Sequence, residues 1–328
     1  MIATLALLAT LALAQAPPTP ADPLLDAIAE GPAADPALVE RFAAAYRASD
    51  AEVPEEKVLA FATFLAQFES SLPYQDGHIE LGDGLATVDT EGLRYLPPES
   101  AARIIEFWGN PPGAETLGML VPAEGPLMPD SWAVILRFDD SGWVDDSDAA
   151  GMDYDALLKE MQESAKEESA RREALGLDAM VLTGWAEPPH YDSPHKVLYW
   201  AKAFDGGSLN YDVRALGRRG VLSMVAVAEV RQLADIRAGM EKVRATVRFT
   251  EGNRYQDYDS NTDAASGYGL AALVAGGAAA GVVAKTGAAK GIFALLLASK
   301  KLIVIGVVAG GAALKGVFSK GSTPSDQA

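Results

Sequence analysis

Cysteine is absent from the 328-residue chain, and histidine occurs three times. Without thiols the protein can form no disulfide, no thiolate metal site and no cysteine nucleophile. The sequence also lacks a G-x-S-x-G nucleophile elbow and a phosphate-binding P-loop. The usual signatures of hydrolases and nucleotide-binding enzymes are therefore missing, and we expect no cofactor.

Basic residues are few relative to acidic ones. Lys and Arg number 27 against 45 Asp and Glu, which gives a formal net charge of −18 at pH 7. Residues 264–328 contain six lysines and one aspartate, a charge of +5, so the first 263 residues carry −18 − 5 = −23. An acidic body of this kind repels phosphate backbones, and we therefore expect no nucleic-acid partner.

The N-terminus has an apolar run with no basic residue before it. Residues 1–14 end in Ala-Leu-Ala, which is typical of a secretory signal peptide with a small-residue cleavage site. The alternative is an uncleaved anchor or a buried helix, but the run is too short to span a bilayer. We predict a signal peptide that is cleaved after Ala14.

Charge is also missing from the start of the C-terminal region. Residues 267–284 contain no charged side chain and, as a helix, would cover most of a hydrocarbon core. A second apolar stretch follows at 302–314, with lysines between the two stretches and aspartates before the first. By the positive-inside rule, this pattern predicts a lysine loop in the cytoplasm and the acidic body in the periplasm.

The sequence therefore predicts a membrane anchor over residues 267–318, as one transmembrane helix or a hairpin, and a short tail over 319–328. The alternative is a pair of Ala/Gly-rich helices that are buried in a soluble core. Small residues four apart mark both stretches, at Gly277 and Gly281 and at Gly306 and Gly310. Such faces allow close helix packing in lipid, either within a hairpin or between copies of the chain.

The residues between these two ends show the periodicities of an α+β protein. Helical spacing predicts a helical N-terminal segment over residues 15–71. Residues 72–250 contain short strand patterns that are separated by glycine-bearing turns, and short turns require antiparallel neighbours. The sequence thus predicts an antiparallel sheet meander with packed helices, similar to the PsbP/Mog1-like sandwich, followed by a linker over residues 251–266.

Two of the three histidines lie in the segment GWAEPPHYDSPHK (184–196). Together His190, Asp192 and His195 have the chemistry of a metal site, and His195 has that of a general acid or base. Their spacing matches neither the helical pair of zinc proteases nor a strand alternation. We therefore interpret the segment as a proline-stiffened corner between two strands, and we predict no metal site.

Two further segments attract attention by composition. Seven aspartates lie between Asp139 and Asp155, and we interpret them as turn and helix-capping residues because they lack the spacing of a calcium loop. The segment EFWGNPPGAETLGMLVP (106–122) would present a rigid aromatic surface to a partner. The alternative is a helix end that Trp108 folds onto the core.

Several unusual motifs occur in a fixed order: WGNPPG, SWAVILRF, GWVDD, GWAEPPHYD, LNYDVR and RYQDYDS. On these motifs the chain resembles a family of bacterial membrane-anchored proteins that is known only as domain of unknown function 2167, from about Leu72 to about Phe318. The resemblance implies an envelope location and a membrane anchor, and it transfers no catalytic residue. The matching positions are Trp108, Gly109, Asn110, Pro111, Pro112, Trp185, Pro188, Tyr191, His195, Asn210, Tyr211 and Arg214.

From these positions we predict a set of binding residues: Trp108, Asn110, Pro111, Pro112, Trp185, Tyr191, His195, Asn210 and Arg214. We expect a non-enzymatic envelope protein of the inner membrane that binds a protein partner or an envelope component. The alternative is a periplasmic hydrolase or metal-dependent enzyme that uses the region of His190, Asp192 and His195. A third hypothesis is a membrane-organising protein that self-associates through its transmembrane helices.

Overall fold

The computed structural model describes residues 33–49, 55–108, 113–128, 131–174 and 179–275. These described residues divide into two compact units, one within residues 33–73 and 127–128 and one within residues 74–126 and 131–275. Several predicted features lie outside the described residues, namely the signal peptide over 1–14, the tail over 319–328, and Gly277, Gly281, Gly306 and Gly310.

The described part of the first unit contains two helices, α1 (Pro36–Ser49) and α2 (Glu55–Ser70). The Asp35 carboxylate caps α1 by accepting a hydrogen bond of 2.9 Å from a backbone N–H two residues on. The Tyr46 and Phe61 rings join the two helices, with 5.3 Å between their centroids. The helices that the apolar spacing predicts are therefore present in this segment.

The second unit combines strands and helices in its described residues. Its strands are β1 (His78–Leu81), β2 (Ala86–Asp89), β3 (Arg94–Leu96), β4 (Gly118–Val121), β5 (Ala133–Asp139), β6 (Trp143–Asp145), β7 (Leu182–Asp192), β8 (Val197–Phe204), β9 (Ser208–Leu216), β10 (Val221–Glu229), β11 (Arg248–Phe249) and β12 (Ala265–Gly269). Its helices are α3 (Pro98–Phe107), α4 (Tyr154–Ala174), α5 (Leu233–Thr246) and α6 (Leu270–Ala275).

The main sheet of this unit has seven antiparallel strands in the order β3-β4-β5-β10-β9-β8-β7. It consists of two meanders, β3 to β5 and β7 to β10, which join where β5 pairs with β10. Strands β1, β2 and β11 form a small second sheet, and β6 pairs with β12 in parallel. The prediction of an α+β fold with an antiparallel sheet and packed helices is confirmed.

A tight turn between β9 and β10 shows how glycine fixes this topology. A Cβ atom on Gly220 would lie 1.8 Å from the Asp139 carbonyl oxygen on neighbouring β5, so no other residue fits without moving the strand. The close approach lets β10 lie between β9 and β5, and it joins the two meanders into one sheet.

The two faces of the main sheet carry different cores. On one face, Leu209, Val213 and Met224 pack with Ile236 and Met240 of α5. The opposite face packs against α4, α6 and β6 in a cluster that includes Leu198, Trp200, Phe204, Leu157, Met161, Leu270 and Leu273. Because successive residues of a strand point to opposite faces, both cores draw on the same strands.

The segment 184–196 differs from the predicted corner. Most of it belongs to β7, which runs through Pro188 and Pro189 to Asp192, and only residues 193–196 form a turn. Proline lacks the N–H that a central strand needs, but β7 lies at the edge of the sheet and tolerates it. Register shifts between Trp185 and His190 accommodate the two prolines.

Residues 251–266, predicted as a linker, are instead part of the folded body. Tyr255 is buried and its hydroxyl donates to the Val144 carbonyl at 2.9 Å. The Arg218 guanidinium holds the Asp263 carboxylate at 2.7 and 3.0 Å and lowers the pKa of that carboxyl to about 2. The polar composition suggested a linker, whereas tertiary aromatic and ionic contacts fix the segment.

The start of the predicted membrane anchor also belongs to this body. Helix α6 is short, and the Asp148 carboxylate accepts hydrogen bonds from the Leu270 and Ala271 N–H groups at 3.0 and 3.1 Å. A Cβ on Gly269 would lie 2.5 Å from the Asp148 carboxylate, so a larger residue would displace this capping side chain. Across the described ranges, no helix has the length and apolar character required to cross a bilayer.

Candidate functional site

A groove of about 500 Å³ lies between the β7–β8 turn, the end of α5 and the loop that follows β11. Its base is apolar and includes Val197, Met224 and Phe249. Its polar lining consists of Asp192, His195, Lys196, Glu241, Arg244, Arg248, Arg254, Tyr255 and Gln256. A smaller cavity of about 130 Å³ shares Glu241 and Arg244 with it and extends the concave surface along α5.

The charge of this groove is opposite to that of the protein. Four lining side chains are basic and two are acidic, and the ion pair of Lys196 with Asp146 cancels one of the positive charges, which leaves a local charge of +1 when His195 is neutral. The chain as a whole carries −18. A concave cationic region in an acidic protein concentrates the local field and attracts anionic groups.

Three arginines supply most of this positive charge. The Arg244 guanidinium lies 4.9 Å from the centre of the Tyr199 ring, and Arg248 donates to the carbonyls of Arg244 and Val247 at 3.1 and 2.7 Å. Arg248 and Arg254 are exposed. Within the described residues none of the three forms an ion pair with a carboxylate, so their charges are available to a ligand.

One histidine and one aspartate form a pair at the groove. The His195 Nδ1 lies 2.9 and 3.0 Å from the two Asp192 carboxylate oxygens. Burial alone would raise the pKa of Asp192, but the hydrogen bonds from His195 outweigh it and lower that pKa. The His195 side chain remains 76% exposed. The pair therefore stands open to solvent at the edge of the groove.

His190, the third residue that was weighed as a metal ligand, does not join this pair. The His190 ring packs against Tyr199, with 5.0 Å between the ring centroids. In the part of the chain that the structure describes, no group of three or more His, Asp or Glu side chains could hold a metal ion.

The wall of the groove is fixed by a carboxylate hub at Asp146. Its carboxylate accepts hydrogen bonds from the Tyr191 hydroxyl and the Lys196 ammonium, each at 2.6 Å. The Tyr255 hydroxyl lies 3.0 Å away and shares its one proton between this carboxylate and the Val144 carbonyl. Burial alone would raise the pKa of Asp146, but these three donors outweigh it and lower the pKa. Burial and the bond to Asp146 raise the pKa of Tyr191, so its hydroxyl remains a donor.

A comparison with known protein families identifies the chain. The family model described as protein of unknown function DUF2167 matches residues 73–311. The chain belongs to the DUF2167 family. No curated protein and no solved structure matches the chain, so the similarity to the PsbP/Mog1-like sandwich stays a prediction.

Three of the motifs that carry the DUF2167 resemblance meet at the Asp146 hub. The motif GWVDD supplies Asp146, the segment GWAEPPHYDSPHK supplies Tyr191 and Lys196, and the motif RYQDYDS supplies Tyr255. The same motifs add Trp143, whose ring stacks on Tyr258 at 4.4 Å. Segments more than 100 residues apart in the chain thus build one wall of the groove.

The predicted binding residues divide among several places. Tyr191 and His195 lie at the groove, whereas Asn210 and Arg214 are buried on the opposite face of the sheet. The Trp185 indole is half-buried and donates to the Tyr154 carbonyl at 3.3 Å. The predicted set therefore does not form a single surface.

The predicted aromatic surface at residues 106–122 has a buried member. Trp108 is 3% exposed at the end of α3, as the alternative of a helix end folded onto the core requires. Asn110, Pro111 and Pro112 lie outside the described residues, as does Gly109.

Asp146, Lys196 and the three arginines were not among the predicted site residues. Lys196 stands next to His195 in the sequence, so its presence there could have been anticipated. The arginines come from α5, from β11 and from the following loop, and only the tertiary structure brings them together.

Proposed function

We propose that this protein is an envelope binding module whose groove holds an extended acidic segment of a partner protein. The observation that carries the proposal is the set of three arginines without carboxylate partners in the described chain, in a groove of local charge +1. Guanidinium groups bind carboxylates through paired hydrogen bonds, which favours acidic side chains as ligands.

The shape of the groove favours an extended peptide over a small anion. The main groove and the adjoining cavity together run from the β7–β8 turn along α5, past Arg244 to Arg237. Apolar side chains at the base, such as Met224 and Phe249, suit the apolar residues of a peptide between its acidic ones. Arg237 is already paired with Glu187 at 2.9 Å, so the unpaired positive charge of the concave surface does not extend to this residue.

The proposed location is the inner membrane, with the body in the periplasm. The support is the predicted signal peptide over 1–14, the predicted anchor over 267–318 and the lysines that follow its first apolar stretch. Fractionation of cells tests this proposal. The protein should resist extraction with carbonate and should be digested by protease in spheroplasts. A protein that is released by carbonate, or that is protected in spheroplasts and digested only after lysis, would contradict it.

Binding itself is tested with full-length protein in detergent and a fluorescent Asp-rich peptide. Replacing Arg244, Arg248 and Arg254 together by Gln should weaken binding roughly tenfold or more, because three charged contacts are lost. Exposed Lys159 on α4 offers a matched control, and Lys159→Gln should leave the affinity unchanged. Equal affinity in the triple variant and the wild type would refute the groove as the binding site.

A second candidate function is hydrolysis through the Asp192–His195 pair. The observation in its favour is the 2.9 Å contact that orients the imidazole at the groove. The pair is open to solvent, and no hydroxyl of the described chain contacts His195. A His195→Ala variant that retains the cellular function of the protein would exclude this mechanism, whereas loss of function with intact peptide binding would support it.

A further inference from the structure

The smaller cavity beside the groove differs from the groove in its charge. It has a volume of about 130 Å³, and residues of β7, β8, β9 and α5 line it. Its charged lining consists of two arginines and two glutamates, with a net charge of zero: Arg237, Arg244, Glu187 and Glu241. Arg244 also acts electrostatically on Asp192 of the groove. The cavity therefore has no positive charge to spare, and charge alone does not favour an anionic ligand group there.

A buried tyrosine hydroxyl borders this cavity. Tyr211 on β9 is 3% exposed and belongs to the lining. Burial, and then the negative charge of Glu187, raises the pKa of Tyr211, so its hydroxyl stays protonated and can donate. Within the described residues this hydroxyl takes part in no hydrogen bond. Buried hydroxyls are normally paired, because an unpaired one loses its contacts with water without replacement. The cavity thus lacks a hydrogen-bond acceptor for Tyr211.

Two further polar groups of the lining are without a partner. Strand pairing places Tyr199 of β8 on the same face of the sheet as Tyr211, and this face packs against α5. Glu241 lines the cavity from α5. In the part of the chain that the structure describes, neither the Tyr199 hydroxyl nor the Glu241 carboxylate forms a hydrogen bond or an ion pair. The cavity therefore offers two hydroxyl donors and one carboxylate acceptor to a ligand.

A primary amide matches these groups in charge and in hydrogen bonding. Its oxygen accepts from a hydroxyl, and its NH₂ group donates to a carboxylate. Arg237 already holds Glu187 at 2.9 Å, so Glu241 is the carboxylate that is available to the NH₂ group. A carboxylate ligand would be repelled by both glutamates. An apolar ligand would leave Tyr211 unpaired.

We propose that the smaller cavity is a pocket for the amide side chain of a glutamine or asparagine in the acidic segment that the groove holds. This inference rests on the proposed function and adds a second kind of recognition to it. The groove arginines bind carboxylates of the segment, and the cavity selects a neighbouring uncharged residue. Tyr211 comes from the motif LNYDVR and determines this specificity, whereas Asn210 and Arg214 of the same motif point to the opposite face of the sheet.

Binding of three fluorescent peptides to full-length protein in detergent tests the pocket. Each peptide repeats two aspartates followed by two copies of a variable residue, which is Gln, Met or Glu. Side chains of an extended chain alternate between two faces, so this repeat presents aspartate and the variable residue on both faces. Met has nearly the length of Gln but no amide. The wild type should bind the Gln peptide about tenfold more tightly than the Met peptide, because Met leaves Tyr211 and Glu241 unpaired.

The Tyr211→Phe variant isolates the contribution of the hydroxyl. It should lower the preference for Gln over Met to about threefold or less, and it should change the affinity for the Glu peptide by less than about twofold. Tyr154→Phe is the matched control, because Tyr154 packs on the other face of the sheet and its hydroxyl has no hydrogen bond in the described chain. This control should keep the full preference. Without peptide, Tyr211→Phe should unfold at no lower temperature than the wild type.

The outcomes that overturn the pocket differ from a failure of the groove. If the wild type binds the Gln and Met peptides equally and the triple arginine variant weakens both, the pocket is rejected and the groove stands. Equal losses of the Gln and Glu peptides in Tyr211→Phe would show that the hydroxyl binds a carboxylate instead. A marked fall in its unfolding temperature would show that the hydroxyl is already paired in the resting fold. If the triple arginine variant binds all three peptides as the wild type does, the groove itself fails, and the pocket fails with it.

Discussion

Asp146 and Asp212 each gather several donors around one carboxylate, but they do so in different surroundings. Asp146 keeps 20% of its side chain exposed and binds one cation and two neutral tyrosine hydroxyls. Asp212 is fully buried and binds two cations, Lys202 and Arg214. The first hub is balanced in charge and reaches solvent, whereas the second is buried.

The comparison shows how burial sets the cost of breaking an ionic hub. The balanced hub at Asp146 needs no further group, and it positions Lys196 and Tyr255 in the wall of the groove. At Asp212 the carboxylate and both cations are buried, so the loss of the carboxylate leaves two charges unpaired inside the core. The groove has a surplus of positive charge, but its cations are solvated and bear it at little cost.

The largest expected effect comes from breaking the buried hub. Asp212→Ala leaves Lys202 and Arg214 buried without their carboxylate and should cost about 3–5 kcal/mol of unfolding free energy. Urea denaturation of the purified protein measures this cost. A loss below about 1 kcal/mol would mean that solvent reaches the cluster, and the contrast with Asp146 would then disappear.

A smaller loss is expected at the balanced hub. Asp146→Asn keeps the shape of the side chain but weakens three hydrogen bonds, and it should cost about 2 kcal/mol. Tyr191→Phe removes one of these bonds and should cost about 1 kcal/mol. The same denaturation experiment gives both values, and an equal cost for the two variants would contradict the role of Lys196 and Tyr255 at this hub.

The pH dependence of the unfolding free energy gives a further test of the Asp146 hub. The pKa of Asp146 is lowered in the folded protein, so its ionised form contributes stability above the unfolded pKa of about 4. This contribution is lost as the pH falls through the folded pKa. The stability difference between wild type and Asp146→Asn should therefore shrink from about pH 5 downward. A difference that stays constant to pH 2 would contradict the lowered pKa.

The smallest effect on stability is expected at the groove. Replacing Arg244, Arg248 and Arg254 by Gln should change the unfolding free energy by about 1 kcal/mol or less, because their guanidinium groups form no ion pair within the described chain and lose only the contact with Tyr199 and two hydrogen bonds to backbone carbonyls. A large loss in the same denaturation assay would show that these arginines support the fold rather than a ligand.

The sheet could be predicted from local pattern, whereas the site could not. Strand-forming residues between glycine turns predicted β9 and β10 to within a residue or two, since these features are local. The prolines of β7 argued against a strand in this segment, and a strand is possible there only because β7 lies at the edge of the sheet. The aspartates of residues 139–155 do cap and turn, as at Asp153, but Asp146 acts through residues that are 45 to 109 positions away. Contacts between residues so far apart produce no periodic pattern in the sequence.

The most direct test of the proposed binding groove is site-specific photocrosslinking in cells. A photoreactive residue at Gln256, exposed in the groove, is compared with one at Lys159 on α4. The account predicts a crosslinked partner from position 256, attached through an acidic segment, that disappears when Arg244, Arg248 and Arg254 are Gln. A partner captured equally from both positions, or unaffected by the arginine replacements, would contradict it.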